Sequence, residues 1–513
     1  KGIKADDDSV FEWGSVTKLT VWISVMQLWE QGKINLEEDI RTYLPEGFLK
    51  NLRYDKPITM LDLMNHQAGF DETTFYMRSD KSIEEILKEQ QPIQSFEPGT
   101  VTAYSNYGAG LAALIVERIS GQTFANYAHE HIFQPLGMDK TAILPDLSDN
   151  SYVQKKRQET KGYDTKGNLL SKDHFITSIY PTGAATGTFK DLEKFAQALL
   201  ARKTLFDRPE TWNTLYTASS TYPDTDIIRN AHGFWANEYG TTVLGHGGNT
   251  AGSTSRIMLD LEHGIGYVVM TNQGTEQNYN FQMPELVFGS RKTASKETKE
   301  QFSPGYYRTL RNFNQGPLAI FKMIPASADY LQEPSDDQRL PNNFWTIYQS
   351  QGKTRIAVAV ADYEKVSDFD FFKDYVVLGL AGLGIIYALG LLIISPLLGV
   401  YRLIFRKKQD QPDRTWKVWN LLTAVGILAV PINLFLLFMS ATSGDFSEIA
   451  QWRYMLFAAL GLLLTATALL PLFRKFREKL SKGRLFLTSV TSLSALAVAA
   501  NILYWSLYQW WVF

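Results

Sequence analysis

Four stretches near the C-terminal end of the chain carry no charged side chain, and they limit what it can fold into more than any other feature. Tyr375–Tyr401, Val418–Ser440, Tyr454–Phe473 and Leu485–Phe513 run for 27, 23, 20 and 29 residues. A hydrocarbon core about 30 Å thick is crossed by about 20 helical residues, so each stretch is long enough to span it. Four such runs separated by short charged loops are hard to bury inside a soluble domain. Four transmembrane helices are therefore expected over residues 372–513. Arg402, Arg406, Lys407, Lys408, Arg414 and Lys417 crowd the first loop, and Arg474, Lys475, Arg477, Lys479, Lys482 and Arg484 the third. The middle loop holds Asp445 and Glu448, with Arg453 at its edge. Positive loops stay on the cytoplasmic side, which places residues 1–371 outside the cell membrane. Trp416, Trp419, Trp452, Tyr454, Trp505, Trp510 and Trp511 sit near span ends, as interfacial aromatics do. Asn420, Asn433 and Asn501 read as interhelical packing rather than a transport path, and Pro396, Pro431 and Pro471 as tolerated kinks. The spans are an anchor in the lipid bilayer.

Composition excludes several kinds of chemistry for the charged part of the chain. With 51 basic and 53 acidic side chains, the net charge of −2 gives no support for a nucleic-acid partner held by bulk charge. There is no cysteine, so disulfides, thiolate metal sites, iron–sulfur clusters and a cysteine nucleophile are all ruled out. Neither a Gly-rich phosphate loop nor an internal repeat is visible, and no cofactor is expected. No signal peptide is visible and the first residue is Lys1. Export then requires a leader already removed or a natural start outside these residues.

Three separate segments carry residues suited to acyl transfer. Strand-like Ser9–Trp13 leads into Gly14-Ser15-Val16-Thr17-Lys18, and a helical pattern follows until Gly32. Ser15 then stands at a helix N-terminus, where the dipole favours its alkoxide, with Lys18 one turn along on the same face. Alone, a Ser-x-x-Lys is most simply a helix-capping serine. Tyr104-Ser105-Asn106-Tyr107-Gly108 precedes a second helix through Leu111, Leu114 and Ile115. A phenol beside a lysine can exchange a proton with a serine, although a packed aromatic is the plainer reading of this segment. Leu244-Gly245-His246-Gly247-Gly248-Asn249 lies between strand-like Thr241–Leu244 and Thr254–Leu259. Its small residues would let a substrate backbone approach an edge strand, and an isolated His-Gly-Gly is otherwise a hairpin turn.

In this order the segments resemble the serine β-lactamase and penicillin-binding-protein superfamily, in its class C-like branch of D-stereospecific peptidases and esterases. The likeness covers residues 8–290 and extends beyond the catalytic triplets. It includes Gln31-Gly32-Lys33-Ile34-Asn35-Leu36 with Tyr43-Leu44-Pro45, and Ile58 to Phe70. It also takes in Ile132-Phe133-Gln134-Pro135-Leu136-Gly137-Met138, and Pro181-Thr182-Gly183 with Asp191-Leu192. The resemblance implies Ser15 as the acyl-forming nucleophile and Lys18 with Tyr104 as the proton-handling pair. It implies Asn106 as a contact to substrate amides, His246 where many members have lysine, and Gly248 in the same strand motif. The backbone N–H groups of Ser15 and Asn249 would form the oxyanion hole. It also implies an α/β (α+β) β-lactamase/transpeptidase-like fold: an antiparallel sheet flanked by helices plus an all-helical lobe, over residues 1–300.

Departures from the pattern shape the remaining expectations. The family begins with a helix and two strands well before its serine, and only 14 residues precede Ser15. Part of the central sheet is then expected to lie outside this sequence or to come from elsewhere. Glu12 replaces a commoner basic residue, and it is either a contact to a substrate ammonium or amide or simply a strand residue. Some membrane-anchored relatives that remove an acylated D-asparagine cap share this layout with C-terminal spans. His129 and His131, two apart, would point to different faces of a helix, so no metal pair is expected. His66 is expected to cap or pack beneath its turn. Residues 301–371 read as a small β-rich extracytoplasmic spacer, with strands at Gly305–Arg308 and Thr354–Val360 and a loop over Ala326–Asn343. The expected protein is a multi-pass, membrane-anchored serine hydrolase acting outside the cell on small peptides or esters containing D-amino acids. A penicillin-binding sensor with little turnover and a β-lactamase are the alternatives. Nothing in the residues fixes its oligomeric state.

Overall fold

Side-chain caps mark where many of the helices begin. The computed structural model describes residues 4–50, 52–72, 81–170, 177, 179–292, 302–312, 328–332, 344–405, 414–443, 447–473 and 480–510. Thr59 with Asp62 forms a capping box at Met60–Met64, and Ser82 with Glu85 forms another at Ile83–Glu89. Ser105 accepts the Gly108 N–H at the start of Asn106–Ser120, which ends at Gly121 in the left-handed region (φ +72°). Helix Lys18–Glu30 is buried along almost its whole length, Trp22, Ile23 and Val25 included. A helix without a polar face belongs in a core, and this one runs through the main apolar cluster together with Asn106–Ser120.

The described residues up to 312 and from 328 to 365 form one compact unit. Its central six-stranded antiparallel sheet runs Ser220–Thr221, Ile228–Ala231, Phe234–Glu238, Thr242–Asn249, Thr254–Asp260, Ile265–Thr271, each strand beside the next in sequence. A smaller antiparallel sheet sets Thr186–Thr188 between Val10–Glu12 and Thr141–Ala142. The α+β layout expected from the sequence is present, with helices such as Phe189–Ala201 alongside the strands.

The His-Gly-Gly segment is not a turn, because it lies within the strand Thr242–Asn249, and the expected strand at Thr254–Leu259 follows it. The reversal comes after it, where Thr250 N–H donates to Ser253 O. Glycines weaken a strand, yet here they are required by close approach. A Cβ on Gly245 would fall 2.0 Å from Ile257 O, and one on Gly248 1.9 Å from Trp13 O.

The segment expected as a spacer supplies a five-stranded sheet in the same unit. Its order is Ala328–Leu331, Gly305–Thr309, Asp362–Val366, Lys353–Val358, Trp345–Ser350. Ala328–Leu331 falls where composition suggested a loop. It is a strand because it pairs with Gly305–Arg308, a tertiary cause that a Pro-, Asp- and Gln-rich neighbourhood masks. The rest of that expected loop, 326–327 and 333–343, lies outside the described residues.

Asp362 joins this sheet to the residues around Arg229 and Thr102 in the same unit. Its Oδ1 accepts from Arg229 Nη2 at 2.7 Å, and its Oδ2 accepts from Tyr348 Oη at 2.7 Å and Thr102 N at 3.0 Å. Both charged side chains are buried. Asp362→Ala strands the Arg229 guanidinium, and breaking a buried pair from one side costs about 3–5 kcal/mol. A lowered Tm of the purified full chain is the expected result. An unchanged Tm would remove Asp362 as a structural hub.

From residue 366 onward the described residues form a second unit. Four helices there are long and apolar enough to cross a membrane, at Asp368–Tyr401, Thr415–Leu437, Trp452–Leu472 and Lys482–Tyr504. Their asparagines bond to neighbouring helices. Asn420 Oδ1 accepts from Thr491 Oγ1 (2.6 Å), Asn433 Nδ2 donates to Arg453 O (2.9 Å), and Asn501 Nδ2 donates to Val377 O (2.8 Å). Such bonds spare buried amides from apolar surroundings. Pro396 and Pro431 lie inside helices, and Pro471 lies in a short 3-10 turn after the third. Residues 406–413, 444–446 and 474–479, which carry much of the charge that argues for topology, lie outside the described residues.

Candidate active site

The turn that carries Ser15 is held from several sides. Gly14 takes a positive φ of +51°, and residues Gly14–Thr17 make one 3-10 turn that runs into helix Lys18–Glu30. Trp13 N donates to Ala185 O (2.8 Å), Ser255 Oγ donates to Trp13 O (2.6 Å), and Thr17 Oγ1 donates to Gly14 O (2.6 Å). These bonds leave Ser15 at the surface of a cleft while Lys18 below it is fully buried.

Lys18 Nζ stands 3.0 Å from Ser15 Oγ and donates to Thr182 O at 2.6 Å. Burial, with the Arg311 charge adding to it, holds its pKa well below the ordinary lysine range. An amine in that state can accept the hydroxyl proton, which a solvated ammonium cannot. The same Nζ lies 4.9 Å from the Tyr104 ring centroid, so the expected serine, lysine and tyrosine do converge.

Tyr104 is positioned from the backbone and from below. Its N–H donates to Val360 O (3.0 Å), and the neighbouring Ala103 bridges to Ala361. His66 packs beneath it, with ring centroids 4.4 Å apart, and stacks on Trp235 at 5.3 Å. His66 Nδ1 accepts the Ser105 N–H at 3.1 Å, which places the proton of the neutral ring on Nε2. Burial, then the Lys18 charge, pushes its pKa well down. His66 is thus a neutral support for Tyr104, a larger role than packing beneath its own turn. Asn106 opens the following helix and lines the cleft.

The opposite wall is the strand Thr242–Asn249. On one side its pairing with Phe234–Glu238 stops at Gly245, while on the other Leu244 to Asn249 stay paired with Thr254–Leu259. His246 to Asn249 therefore present an open strand edge, the arrangement that takes up an extended peptide. A Cβ on Gly248 would lie 3.0 Å from Ser15 N, and one on Gly14 2.7 Å from Asn249 N. The two backbone segments whose amides would form the oxyanion hole are therefore in direct contact. The His246 ring is 6.0 Å from that of Tyr104, and burial, with Lys18 nearby, lowers its pKa to about 3. His246 is accordingly a neutral hydrogen-bonding group and does not supply the positive charge of the lysine it replaces.

Glu12 is not in the cleft. Its carboxylate is held by Arg157 through Nε (3.1 Å) and Nη2, and by Thr250 Oγ1 at 2.5 Å. Of the two expected readings the strand residue is the one that fits, because a substrate ammonium would have to displace a buried ion pair. Glu12 instead ties helix Ser151–Arg157 to the turn after the His-Gly-Gly strand. His129 Nε2 likewise bonds the Asp149 carboxylate at 2.8 Å.

The cleft, about 390 Å³, also contains residues that motif reading passed over: Arg256, Arg291, Arg311, Trp235, Phe281 and Val360. For Arg256 a signal existed, a cation inside a strand that is otherwise buried. Arg311 and Val360 had none, because they reach the cleft from the five-stranded sheet region beyond the resemblance.

A family model described as Beta-lactamase matches residues 1–289. Penicillin-binding protein 4 of Amycolatopsis lactamdurans is 24% identical over 301 residues, 54% of this chain and 76% of that protein. Teichoic acid D-alanine hydrolase of Staphylococcus aureus is 26% identical over 239 residues, 46% of this chain and 56% of that protein. The crystal structure of D-amino acid amidase from Ochrobactrum anthropi complexed with D-phenylalanine has 24% identity and a TM-score of 0.45, covering 56% of this chain and 84% of its own. The chain spans about half the length of several of the curated relatives it matches. Because the family match takes in more than half of the 513 residues, and within it lie the serine, lysine and tyrosine that meet in the cleft, this chain belongs to the β-lactamase family of serine hydrolases.

Proposed function

We propose that this protein is a membrane-anchored serine hydrolase that cleaves D-amino-acid-containing peptides or related esters outside the cell, through an acyl-enzyme on Ser15. The observation that carries the reading is the buried Lys18 amine 3.0 Å from Ser15 Oγ. In acylation the Ser15 hydroxyl proton passes to the Lys18–Tyr104 pair as Oγ bonds to the substrate carbonyl carbon. The tetrahedral oxygen then faces the Ser15 and Asn249 amides. Collapse breaks the bond to the leaving amine or alcohol, which takes up the proton, and water later releases the acid by the reverse sequence. Relatives named for D-alanine hydrolysis support D-stereochemistry on the acyl side. The extracytoplasmic placement rests on the basic first and third loops.

The test uses the full chain in detergent with a fluorescent penicillin or fluorophosphonate, followed by matched D- and L-alanyl esters and amides. The expected result is covalent label at Ser15 and turnover of the D-series by at least about tenfold over the L-series, the discrimination that about 1.4 kcal/mol supplies. Label without any turnover would favour the sensor reading, and label that persists in Ser15→Ala would overturn both.

A further inference from the structure

Tyr104 has two cations against its ring. Lys18 Nζ lies 4.9 Å from the ring centroid and Arg311 Cζ lies 4.7 Å from it. The lysine belongs to the expected trio. Arg311 does not, because it follows the strand Gly305–Thr309, beyond the residues that the family model matches. His246 on the facing strand is neutral, so Arg311 brings a positive charge to the phenol that His246 does not.

The position of Arg311 is fixed from its backbone and from its side chain. Leu310 is buried in one cluster with Val101 and Ala103, and its N–H donates to Asp362 O at 2.7 Å. The Asp362 N–H in turn donates to Thr102 O at 2.8 Å, and the Tyr104 N–H to Val360 O at 3.0 Å. The sheet that holds Arg311 is thus bonded to the same short segment that holds Tyr104. Glu72 then aims the side chain. Arg311 Nε donates to Glu72 Oε2 at 2.6 Å, and the Glu72 N–H donates to Asn312 O at 3.4 Å. A guanidinium held at its edge by a carboxylate keeps its planar face for an aromatic ring.

Charge decides what this arrangement does to the serine. A neighbouring cation disfavours an ammonium, and a neighbouring carboxylate favours it. At the buried Lys18, the Arg311 charge adds to the lowering that burial begins, and Glu72 acts in the opposite sense. His66 and His246, whose rings lie 4.4 Å and 6.0 Å from that of Tyr104, are kept neutral by burial. Arg256 and Arg291 line the same cleft, but the charges acting on Lys18 are those of Arg311 and Glu72. The Arg311 side chain is 36% exposed, so solvent screens it and its effect is modest.

We propose that Arg311 is a positioning residue for acylation: seated on the Tyr104 ring, it helps keep the Lys18 amine free to take the Ser15 proton. The inference rests on the hydrolase reading and deepens it. The strands after residue 302 then take part in the chemistry rather than serving only as a spacer.

The experiment follows labelling of Ser15 by a fluorophosphonate across pH, with the full chain in detergent, beside turnover of a D-alanyl ester. In labelling the Oγ–P bond forms, fluoride leaves and the amine takes the proton. The wild-type rate is expected to rise with pH as Lys18 becomes neutral. In Arg311→Gln that limb should move up by about half a pH unit or more, which slows labelling about threefold or more below its midpoint and leaves the high-pH plateau near wild type. Arg311→Lys keeps the charge and should keep most of the wild-type limb. Glu72→Gln retains the arginine, removes the opposing carboxylate and should move the limb to lower pH, which tests the charge without altering Arg311. An unmoved limb in Arg311→Gln, an equal loss at every pH, or an upward shift in Glu72→Gln would overturn the role. Labelling that shows the expected shifts without any ester turnover would reject the hydrolase reading and leave the role of Arg311 standing. Ester turnover with an unmoved limb would do the reverse.

Discussion

Ser15→Ala is expected to abolish covalent labelling and to lower turnover by about 10⁶-fold, the loss seen when a nucleophile acting as part of one unit is removed. Ser15 Oγ is a cleft hydroxyl with a lysine amine beside it, at 3.0 Å. The chain has no cysteine, and the lysine amine donates to Thr182 O beneath the serine. The substitution deletes one partly exposed hydroxyl and leaves the Thr182 contact in place. Folding should therefore be almost unchanged, with a Tm close to wild type separating a chemical loss from a structural one. Residual turnover within about tenfold of wild type would show that another residue carries the reaction.

Lys18→Met carries the second largest expected effect, a fall in the Ser15 acylation rate of about 10²–10⁴-fold, the usual contribution of a positioned proton acceptor. Its signature is the pH profile. The amine works only when neutral, and burial followed by the Arg311 charge depresses its pKa. The wild-type acylation rate should therefore rise with pH through that lowered value and then level off, whereas Lys18→Met should lack this limb. The stability sign is consistent. Below the unfolded pKa of about 10.5 the unfolded chain binds a proton that the folded chain does not. Lys18 thus makes folding less favourable as pH falls, until the folded pKa is reached. Stopped-flow acylation with a chromogenic ester measures the rate at each pH, and a variant that keeps the wild-type limb would move the base elsewhere, to Tyr104 first.

Several features could be read directly along the chain. Length without charge marks a candidate span wherever it occurs, and each of the four apolar runs overlaps a helix long and apolar enough to cross a membrane. Ser105 and Gly121 bracket their helix because capping acts within a few residues. Ser15 and Lys18 share a helical turn for the same local reason. The tyrosine and the His-Gly-Gly strand were legible only as parts of a pattern whose members are far apart, so a resemblance linked them before any contact could. Residue by residue the segment leaves a hairpin turn open beside an edge strand, because glycine is a turn former when considered alone, and the structure has the strand.

What the sequence by itself determined, then, is the inventory of chemistry and the division into a charged part and an apolar part, since both follow from residue type and short-range spacing. Tertiary structure alone decided that Lys18 is buried and its pKa lowered, and that Glu12 belongs to Arg157 and Thr250. It alone placed Arg256, Arg311 and Val360 at the cleft, and put the strands after residue 302 in the same unit as Ser15. Those outcomes depend on desolvation and on approaches between residues more than two hundred positions apart, such as Tyr104 N to Val360 O, and no local pattern encodes them.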